Sequence, residues 1–305
     1  MSFISIQGVT KKYANHTAIE GINIEIPEKS IFGLLGPNGA GKTSLIRILT
    51  QITAADEGKI LYNGEPLAPH HVETMGYLPE ERGLYKKMKI GDQVMYFARL
   101  KGLSRMEAGK RIKYWFDKFE INSWKSKKVE ELSKGMAQKV QFINTVLHNP
   151  KLIILDEPFS GFDPVNAELI KNEIMELRDN GATIILSTHR MESVEQMCDN
   201  VALINKAQIV LEGDITSIKE KYKTGEYTAE YKGELNGSLT AADIISQETT
   251  RRGDTLVKMK LKEGQTSNQL ISQLIASVEI HSFKEVLPSI NEIFISIVKE
   301  EPNHE

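Results

Sequence analysis

Gly36-Pro37-Asn38-Gly39-Ala40-Gly41-Lys42-Thr43 closes the apolar run Ile31-Phe32-Gly33-Leu34-Leu35 and opens the amphipathic run from Ser44 to Thr50. The order reads as strand, glycine-rich loop, helix. The octet matches G-x-x-x-x-G-K-[ST], with the flanking strand and helix that a phosphate-binding loop requires. Small residues let successive backbone N–H groups curl around a phosphate, and the helix N-terminus adds partial positive charge. From Gly36 to Ser44 the chain therefore reads as a polyphosphate cradle. In it Lys42 reaches the β- and γ-phosphates and the Thr43 hydroxyl holds Mg²⁺. The competing reading is a glycine-rich strand-to-helix turn with an incidental lysine.

Two further segments reinforce the cradle. Lys151-Leu152-Ile153-Ile154-Leu155 is an apolar strand ending in the adjacent carboxylates Asp156 and Glu157. If the chain stays extended there, the two side chains point to opposite faces and serve different ends. Asp156 then takes the Mg²⁺ side, a strand-ending aspartate being the usual companion of a phosphate loop. Glu157 faces the γ-phosphate and activates water. Thr183 to Thr188 is another β-rich run, and His189 stands at its end. Ligands of open α/β sheets lie beyond the carboxyl ends of the strands, so Lys42/Thr43, Asp156/Glu157 and His189 are expected at one rim.

Outward from this centre the chain is punctuated clearly. Before the loop, Phe3 to Ile6 and Ile22 to Ile26 alternate apolar with polar residues. Tyr13, in an expected polar loop from Lys11 to Asn15, could stack on a purine or pack half-buried; spacing leaves both open. Glu57 to Gly64 reads as a strand closed by the Asn63-Gly64 turn. Met75 to Leu78 is a short strand entering the charged loop Pro79-Glu80-Glu81-Arg82-Gly83. Loops of this kind on rigid sheets often carry function.

From Ile90 to about Gln141, Val94, Tyr96, Phe97, Leu100, Ile112, Trp115, Phe116 and Phe119 recur at helical spacing, which reads as a helical insertion with a core-facing stripe. Ser133 is an expected N-cap for a helix with Gly135 in its first turn. Asp163-Pro164 starts a helix running to about Arg178, which Asn180-Gly181 stops. Val201 to Ile204 and Gln208 to Leu211 form an expected hairpin. Beyond a linker at Lys223 to Gly225, alternating runs at Tyr227–Tyr231, Leu256–Leu261 and His281–Val286 mark a small α/β domain without a chemical constellation. Its last helix presents Ile290, Ile293, Phe294, Ile297 and Val298 on one face.

Composition bounds the rest. The chain has 305 residues, 40% hydrophobic and 26% charged, as in a globular protein of one larger and one smaller domain. A formal net charge of −3 argues against a general nucleic-acid binder. Cys198 is the single cysteine, so no disulfide framework is expected. No basic region followed by a long apolar stretch opens the chain, so no signal peptide is expected. No window approaches the ~20 apolar residues that span a bilayer. The expectation is a cytoplasmic chain that reaches a membrane only through a partner.

Taken in order, the phosphate loop, the Ser133-Lys134-Gly135 cap, the Leu155-Asp156-Glu157-Pro158 strand end, the Ser160-to-Asp163 turn and Ser187-Thr188-His189 resemble an ABC-transporter ATPase subunit over residues 1–222. The resemblance implies an α/β fold: a P-loop NTPase core of mixed sheet with flanking helices, an antiparallel β subdomain and a helical subdomain at about 90–141. A small C-terminal α/β domain follows at 226–305. By resemblance, Leu132 to Met136 is the signature that completes the site of a second copy. ATP and Mg²⁺ are then held between the phosphate loop of one copy and Ser133, Lys134 and Gly135 of the other. Tyr13 matches the base-stacking aromatic, Glu157 the catalytic base, Asp163 the cross-subunit turn and His189 the residue on the γ-phosphate.

Glu80 stands where the family usually has a glutamine that contacts Mg²⁺ and the membrane subunit. Lys134 and Met136 replace the commoner glycine and glutamine. These departures and the C-terminal domain resemble the bacterial exporter branch of sodium-, drug- and antibiotic-efflux ATPases, the sodium type most closely. The implied partners are a second copy and a separate polytopic permease, with the chain peripheral on the inner face of the cell membrane and no nucleic acid. Two other readings stand beside this one: a soluble ATPase of the superfamily acting on ribosomes or DNA, and a nucleotide-gated interaction module with little hydrolysis.

Overall fold

Ser2–Tyr13 (β1) and His16–Pro27 (β2) form a long antiparallel hairpin whose register shifts around Gly8. On β2, Ile22, Ile24 and Ile26 are buried and alternate with exposed Asn23 and Glu25, the period-two pattern of a strand with one wet face. The computed structural model describes residues 2–81, 83–235 and 239–300; Met1 of the N-terminal stretch and Arg82 of the charged loop lie outside them. The described residues fall into two compact units, divided along the chain between Ile215 and Thr216.

In the first unit, Ile31–Leu35 (β3) leads into Lys42–Leu49 (α1). Glu57–Tyr62 (β4) and Glu65–Pro66 (β5) are joined through Asn63 and Gly64, both at positive φ. Met75–Leu78 (β6) follows. Ile90–Leu100 (α2), Arg105–Lys118 (α3) and Lys134–Val146 (α4) are the inserted helices. Leu152–Asp156 (β7), Pro164–Asp179 (α5), Thr183–Thr188 (β8) and Met191–Met197 (α6) return to the core. Asn200–Asn205 (β9) and Gln208–Asp214 (β10) make the hairpin expected of them, turning through Lys206 and Ala207 at positive φ.

A six-stranded sheet runs β10-β9-β3-β8-β7-β6, parallel except for β10, beside a four-stranded antiparallel sheet β2-β1-β4-β5. Alternate residues of the parallel strands feed two cores. Phe32, Leu34, Ile154 and Ile185 pack with α1 and the antiparallel sheet, while Ile31, Ile153, Ile184 and Leu186 pack with α4, α5 and the inserted helices. Burial on both faces is why these strands are continuous apolar runs. In the insertion, Val94, Ile112, Trp115, Phe116 and Phe119 are buried as the helical stripe predicts. Tyr96 and Leu100 are not: they are exposed, because the α2 stripe is wider than the surface that covers it.

The second unit opens with the end of Ile215–Lys221 (α7) and continues through Glu226–Lys232 (β11), Ala242–Thr249 (β12), Thr255–Leu261 (β13), Ser267–Ile275 (α8), Glu279–Val286 (β14) and Ile290–Glu300 (α9). Its antiparallel sheet has the order β12-β13-β11-β14. Tyr227, Ala229, Tyr231, Val257 and Met259 bury one face with Leu270 and Leu274 of α8. The edge strand β12 is exposed along nearly all its length and carries no apolar alternation in its sequence.

Candidate functional site

The phosphate loop is shaped by steric necessity at two glycines. At Gly36, φ is 145° and a Cβ would stand 2.2 Å from the Ile204 carbonyl oxygen. At Gly41, φ is 118° and a Cβ would stand 2.3 Å from the Ala18 carbonyl oxygen. Any side chain would force backbone apart from backbone. Lys42, the first residue of α1, is buried and donates from Nζ to the carbonyl oxygens of Gly36 at 2.6 Å and Pro37 at 3.0 Å. Burial pushes its pKa down, and Glu157, Asp156 and Glu80 oppose that shift.

A cavity of about 320 Å³ opens over this loop, lined by Asn38 to Ser44 together with Tyr13, His16, Ala18, Glu80, Asp156 and Glu157. Asp156 ends β7 and is 3% exposed; burial raises its pKa, and Glu80 and Glu157 raise it further. An acid held in so little water gains from a cation. The oxygen donors here, the Thr43 hydroxyl and the Asp156 and Glu80 carboxylates, are of the hard type that suits Mg²⁺.

Glu157 breaks the expectation of continued extension. Its φ is 51°, so the strand stops at Asp156 and the chain turns left-handed one residue later. The opposite-faces argument therefore does not apply: both carboxylates line the same cavity. Three donors fix the Glu157 carboxylate. The Thr188 hydroxyl donates to Oε2 at 3.1 Å, the His189 backbone N–H donates to Oε1 at 2.8 Å, and His189 Nδ1 lies 2.7 Å from Oε1. Thr188 stands inside the Ser187-Thr188-His189 motif but received no role from the sequence; the pairing of β8 with β7 is what brings it to Glu157.

Tyr13 is the last residue of β1, paired with His16 across the hairpin, so it stands on a strand end and not in a free loop. It is exposed, with Lys11 Nζ 5.5 Å from its ring centroid, and it forms the outer wall of the cavity with His16. Ser133, Lys134, Gly135 and Asp163 do not line that cavity. Ser133 caps α4 by accepting from the Met136 N–H at 3.2 Å, and Asp163 caps α5 by accepting from the Asn166 N–H at 3.0 Å. Hydrogen bonds from the Asn166 backbone and side chain also hold the Asp163 pKa down. Ser133, Lys134 and Asp163 are exposed, and the Lys134 stem lies against Gly161, where a Cβ would meet its Cε at 2.3 Å. Outside the cavity, Glu65, His70 and His71 also cluster. His71 Nδ1 accepts the Ala68 N–H at 3.0 Å, which leaves the ring proton on Nε2 facing Glu65 and no lone pair for a metal.

Comparison with known proteins accords with this geometry. The family model for ABC transporters matches residues 19–160. An uncharacterized ABC transporter ATP-binding protein of Bacillus subtilis (strain 168), YhaQ, is 41% identical over 97% of this chain and 98% of its own. The chain belongs to the ABC transporter ATP-binding family. As an ABC ATPase it binds and hydrolyses ATP as the ATP-binding subunit of a transporter. A second family model, the C-terminal domain of DrrA1-3-like ATP-binding proteins, matches residues 213–298 of this ABC subunit. The Nod factor export ATP-binding protein I of Cupriavidus metallidurans (strain ATCC 43123 / DSM 2839 / NBRC 102507 / CH34) is 29% identical over 84% of the chain and 85% of its own. Among solved structures, an ATP-binding subunit of an ABC transporter has a TM-score of 0.68 and 27% identity, covering 72% of this chain and 93% of its own. No described helix is long and apolar enough to cross a membrane.

Proposed function

We propose that this subunit powers an exporter by closing on ATP with a second copy of itself and passing the motion to a separate polytopic permease, peripheral to the inner face of the membrane. The observation that carries the reading is a division of labour on the surface. Lys42, Thr43, Glu80, Asp156 and Glu157 share one cavity with Tyr13, while Ser133, Lys134, Gly135 and Asp163 stand outside it at the starts of two helices. One chain thus carries two half-sites that a second chain can complete.

In this reading Gly36 to Ser44 wrap the phosphates, Tyr13 stacks on the base, and Lys42 exchanges its two loop carbonyls for β- and γ-phosphate oxygens. Thr43, Asp156 and Glu80 would hold Mg²⁺, which when bound neutralises charge on the phosphates. Glu157, kept in place by Thr188 and His189, takes a proton from the water that attacks the γ-phosphorus; the P–O bond to ADP breaks and phosphate leaves. His189, already touching Glu157, steadies the γ-phosphate. The N-terminus of α4, capped by Ser133, offers its N–H groups and partial charge to the partner's γ-phosphate. Closure is worth only what the γ-phosphate contributes in the closed state over the open one, so its loss lets the copies part.

The exporter direction is supported by the export role for which the Nod factor relative is named and by the DrrA-like C-terminal match. Motion reaches the permease through the inserted helices and the loop that begins at Glu80. The test is Glu157→Gln. It should bind ATP with near-normal affinity, lose about 10²-fold or more in hydrolysis, and accumulate ATP-bound dimer in solution scattering. Near-normal phosphate release would remove Glu157 as the base.

A further inference from the structure

Six lysines are gathered on two short stretches that the fold brings side by side. Lys86, Lys87 and Lys89 stand just before α2, and Lys125, Lys127 and Lys128 stand where the chain returns from α3 toward α4. Backbone bonds lace the two together. The Val129 N–H donates to the Met88 carbonyl oxygen and the Glu130 N–H to that of Lys86, both at 3.0 Å, while the Ile90 and Gly91 N–H groups donate to the Lys127 and Lys125 carbonyl oxygens at 2.9 and 3.0 Å. All six lysines are exposed.

This ribbon is a local excess of charge, since the chain as a whole carries −3. Asp92, Glu130 and Glu131 border it. Glu130 lies 3.5 Å from Lys128 Nζ, and Glu131 accepts from the Lys128 backbone N–H. Among the described residues no ion pair engages Lys86, Lys87, Lys89, Lys125 or Lys127. The fold also holds like charges together where it could have parted them. Lys89 and Lys128 are partners across an antiparallel bridge, a placement in which like charges repel and cost stability. Gly91 makes room for the Lys125 stem: a Cβ there would stand 2.7 Å from Lys125 Cγ and 3.1 Å from its carbonyl oxygen. An anion arriving at the ribbon relieves that repulsion.

The residue type selects the anion. Lysine is a hydrated point charge without the planar fork by which arginine grips one phosphate or carboxylate. Several such charges on exposed turns suit a surface of many phosphates better than a single bound group. Clusters of four to eight basic residues beside a membrane are drawn to anionic headgroups, each adding about fivefold to partitioning. Nucleic acid is disfavoured by the lack of arginine in the ribbon and by the acidic balance of the chain.

We propose that the lysine ribbon is a docking surface for anionic phospholipid headgroups, and that it holds the subunit to the bilayer independently of the permease. The inference rests on the membrane placement in the reading above and adds the lipid chemistry. The turn Val129–Glu131 joins the ribbon to Leu132 and Ser133, so lipid contact and the half-site at the start of α4 share one short connection.

The experiment uses the purified full chain without a permease and follows its sedimentation with vesicles of phosphatidylcholine, or of phosphatidylcholine mixed with phosphatidylglycerol. The wild type should pellet only with the anionic vesicles, and be released as salt rises from about 0.1 to 1 M, which shortens the screening length from about 10 to 3 Å. Lys86→Gln/Lys87→Gln/Lys89→Gln should lower partitioning by about 10²-fold, whereas Lys86→Arg/Lys87→Arg/Lys89→Arg should keep it within about threefold. Lys59→Gln/Lys151→Gln/Lys206→Gln, an equal change of net charge at exposed lysines off the ribbon, should bind as the wild type does. The glutamine variant of the ribbon should melt no lower than wild type, since Lys128 loses its like-charged partner. Equal binding to both kinds of vesicle, undiminished binding of the ribbon variant, an equal loss in the control triple or a lower melting temperature for the ribbon variant overturns the proposal. Displacement from the anionic vesicles by an oligonucleotide duplex at equal phosphate concentration also overturns it, and assigns the ribbon to nucleic acid. None of these results bears on the Glu157→Gln test, which stands or fails on ATP-driven closure.

Discussion

The buried imidazole of His148 makes a pH prediction whose size follows from the structure. Burial, reinforced by the nearby charges of Lys101 and Arg111 and opposed by the Met75 carbonyl, pushes its pKa from 6.5 down to about 4. The fold therefore binds fewer protons at this site than the unfolded chain does. Stability from this group is complete above about 6.5 and is lost as the pH falls toward about 4. At 1.36 kcal/mol per pKa unit, roughly 2.5 kcal/mol is gone by pH 4.5. For a domain of about 200 residues that corresponds to some 5–10 °C in melting temperature.

Asp156 and Glu173 have pKa values raised by burial, so their contribution runs the opposite way, and the site is isolated by subtraction. Thermal melts of the wild type and His148→Leu are compared at pH 7.5 and 4.5, following the transition of the ATPase unit. The wild type should lose those 5–10 °C more than the variant does. An NMR titration of the ring should place its midpoint below about 5. Equal acid losses in the two proteins, or a ring midpoint near 6.5, would falsify the account of a buried, unprotonated imidazole.

Two further substitutions probe other parts of the first unit. Gly36→Ala puts a Cβ 2.2 Å from the Ile204 carbonyl oxygen at a φ of 145°, so the phosphate loop must shift; binding of a fluorescent ATP analogue should weaken by about 10²-fold or more, with a melting loss of roughly 2 kcal/mol. Lys118 Nζ lies 2.7 Å from carboxylate oxygens of both Glu173 and Glu176 and ties α3 to α5. Lys118→Met strands the buried Glu173 and should cost about 2 kcal/mol at neutral pH, less in acid, where that carboxylate, its pKa raised by burial, takes up a proton, measured by denaturant titration.

Legibility in the sequence followed how local each determinant is. The phosphate loop could be read because its glycines answer to backbone geometry and its lysine to the loop itself. The caps at Ser133 and Asp163 could be read because a cap and the N–H that donates to it lie three residues apart. The Asp156 strand declared itself by four consecutive apolar residues, Leu152 to Leu155, all of them buried in the structure. Glu157 could not be read correctly, since nothing in Asp156-Glu157-Pro158 announces a left-handed turn; its position depends on Ser187, Thr188 and His189 from another strand. Tyr13 seemed to lie in a loop because Lys11 and Lys12 are polar, although both are paired with β2. Tyr96 and Leu100 carried the helical period of a core, and only packing shows that the core ends before them.

The span from Pro79 to Leu84 reaches two places at once: Glu80 lines the nucleotide cavity, and Pro79, Gly83 and Leu84 line a separate cavity of about 590 Å³ beside α2, α4 and β6. At no more than about 3.6 Å per residue, such a short length of backbone has no slack to absorb a displacement at either end. Mutations there cannot be sorted into those that impair turnover and those that impair assembly. A library randomised over this span should yield phenotypes that fall together, with revertants arising in the partner protein as readily as around the phosphate loop.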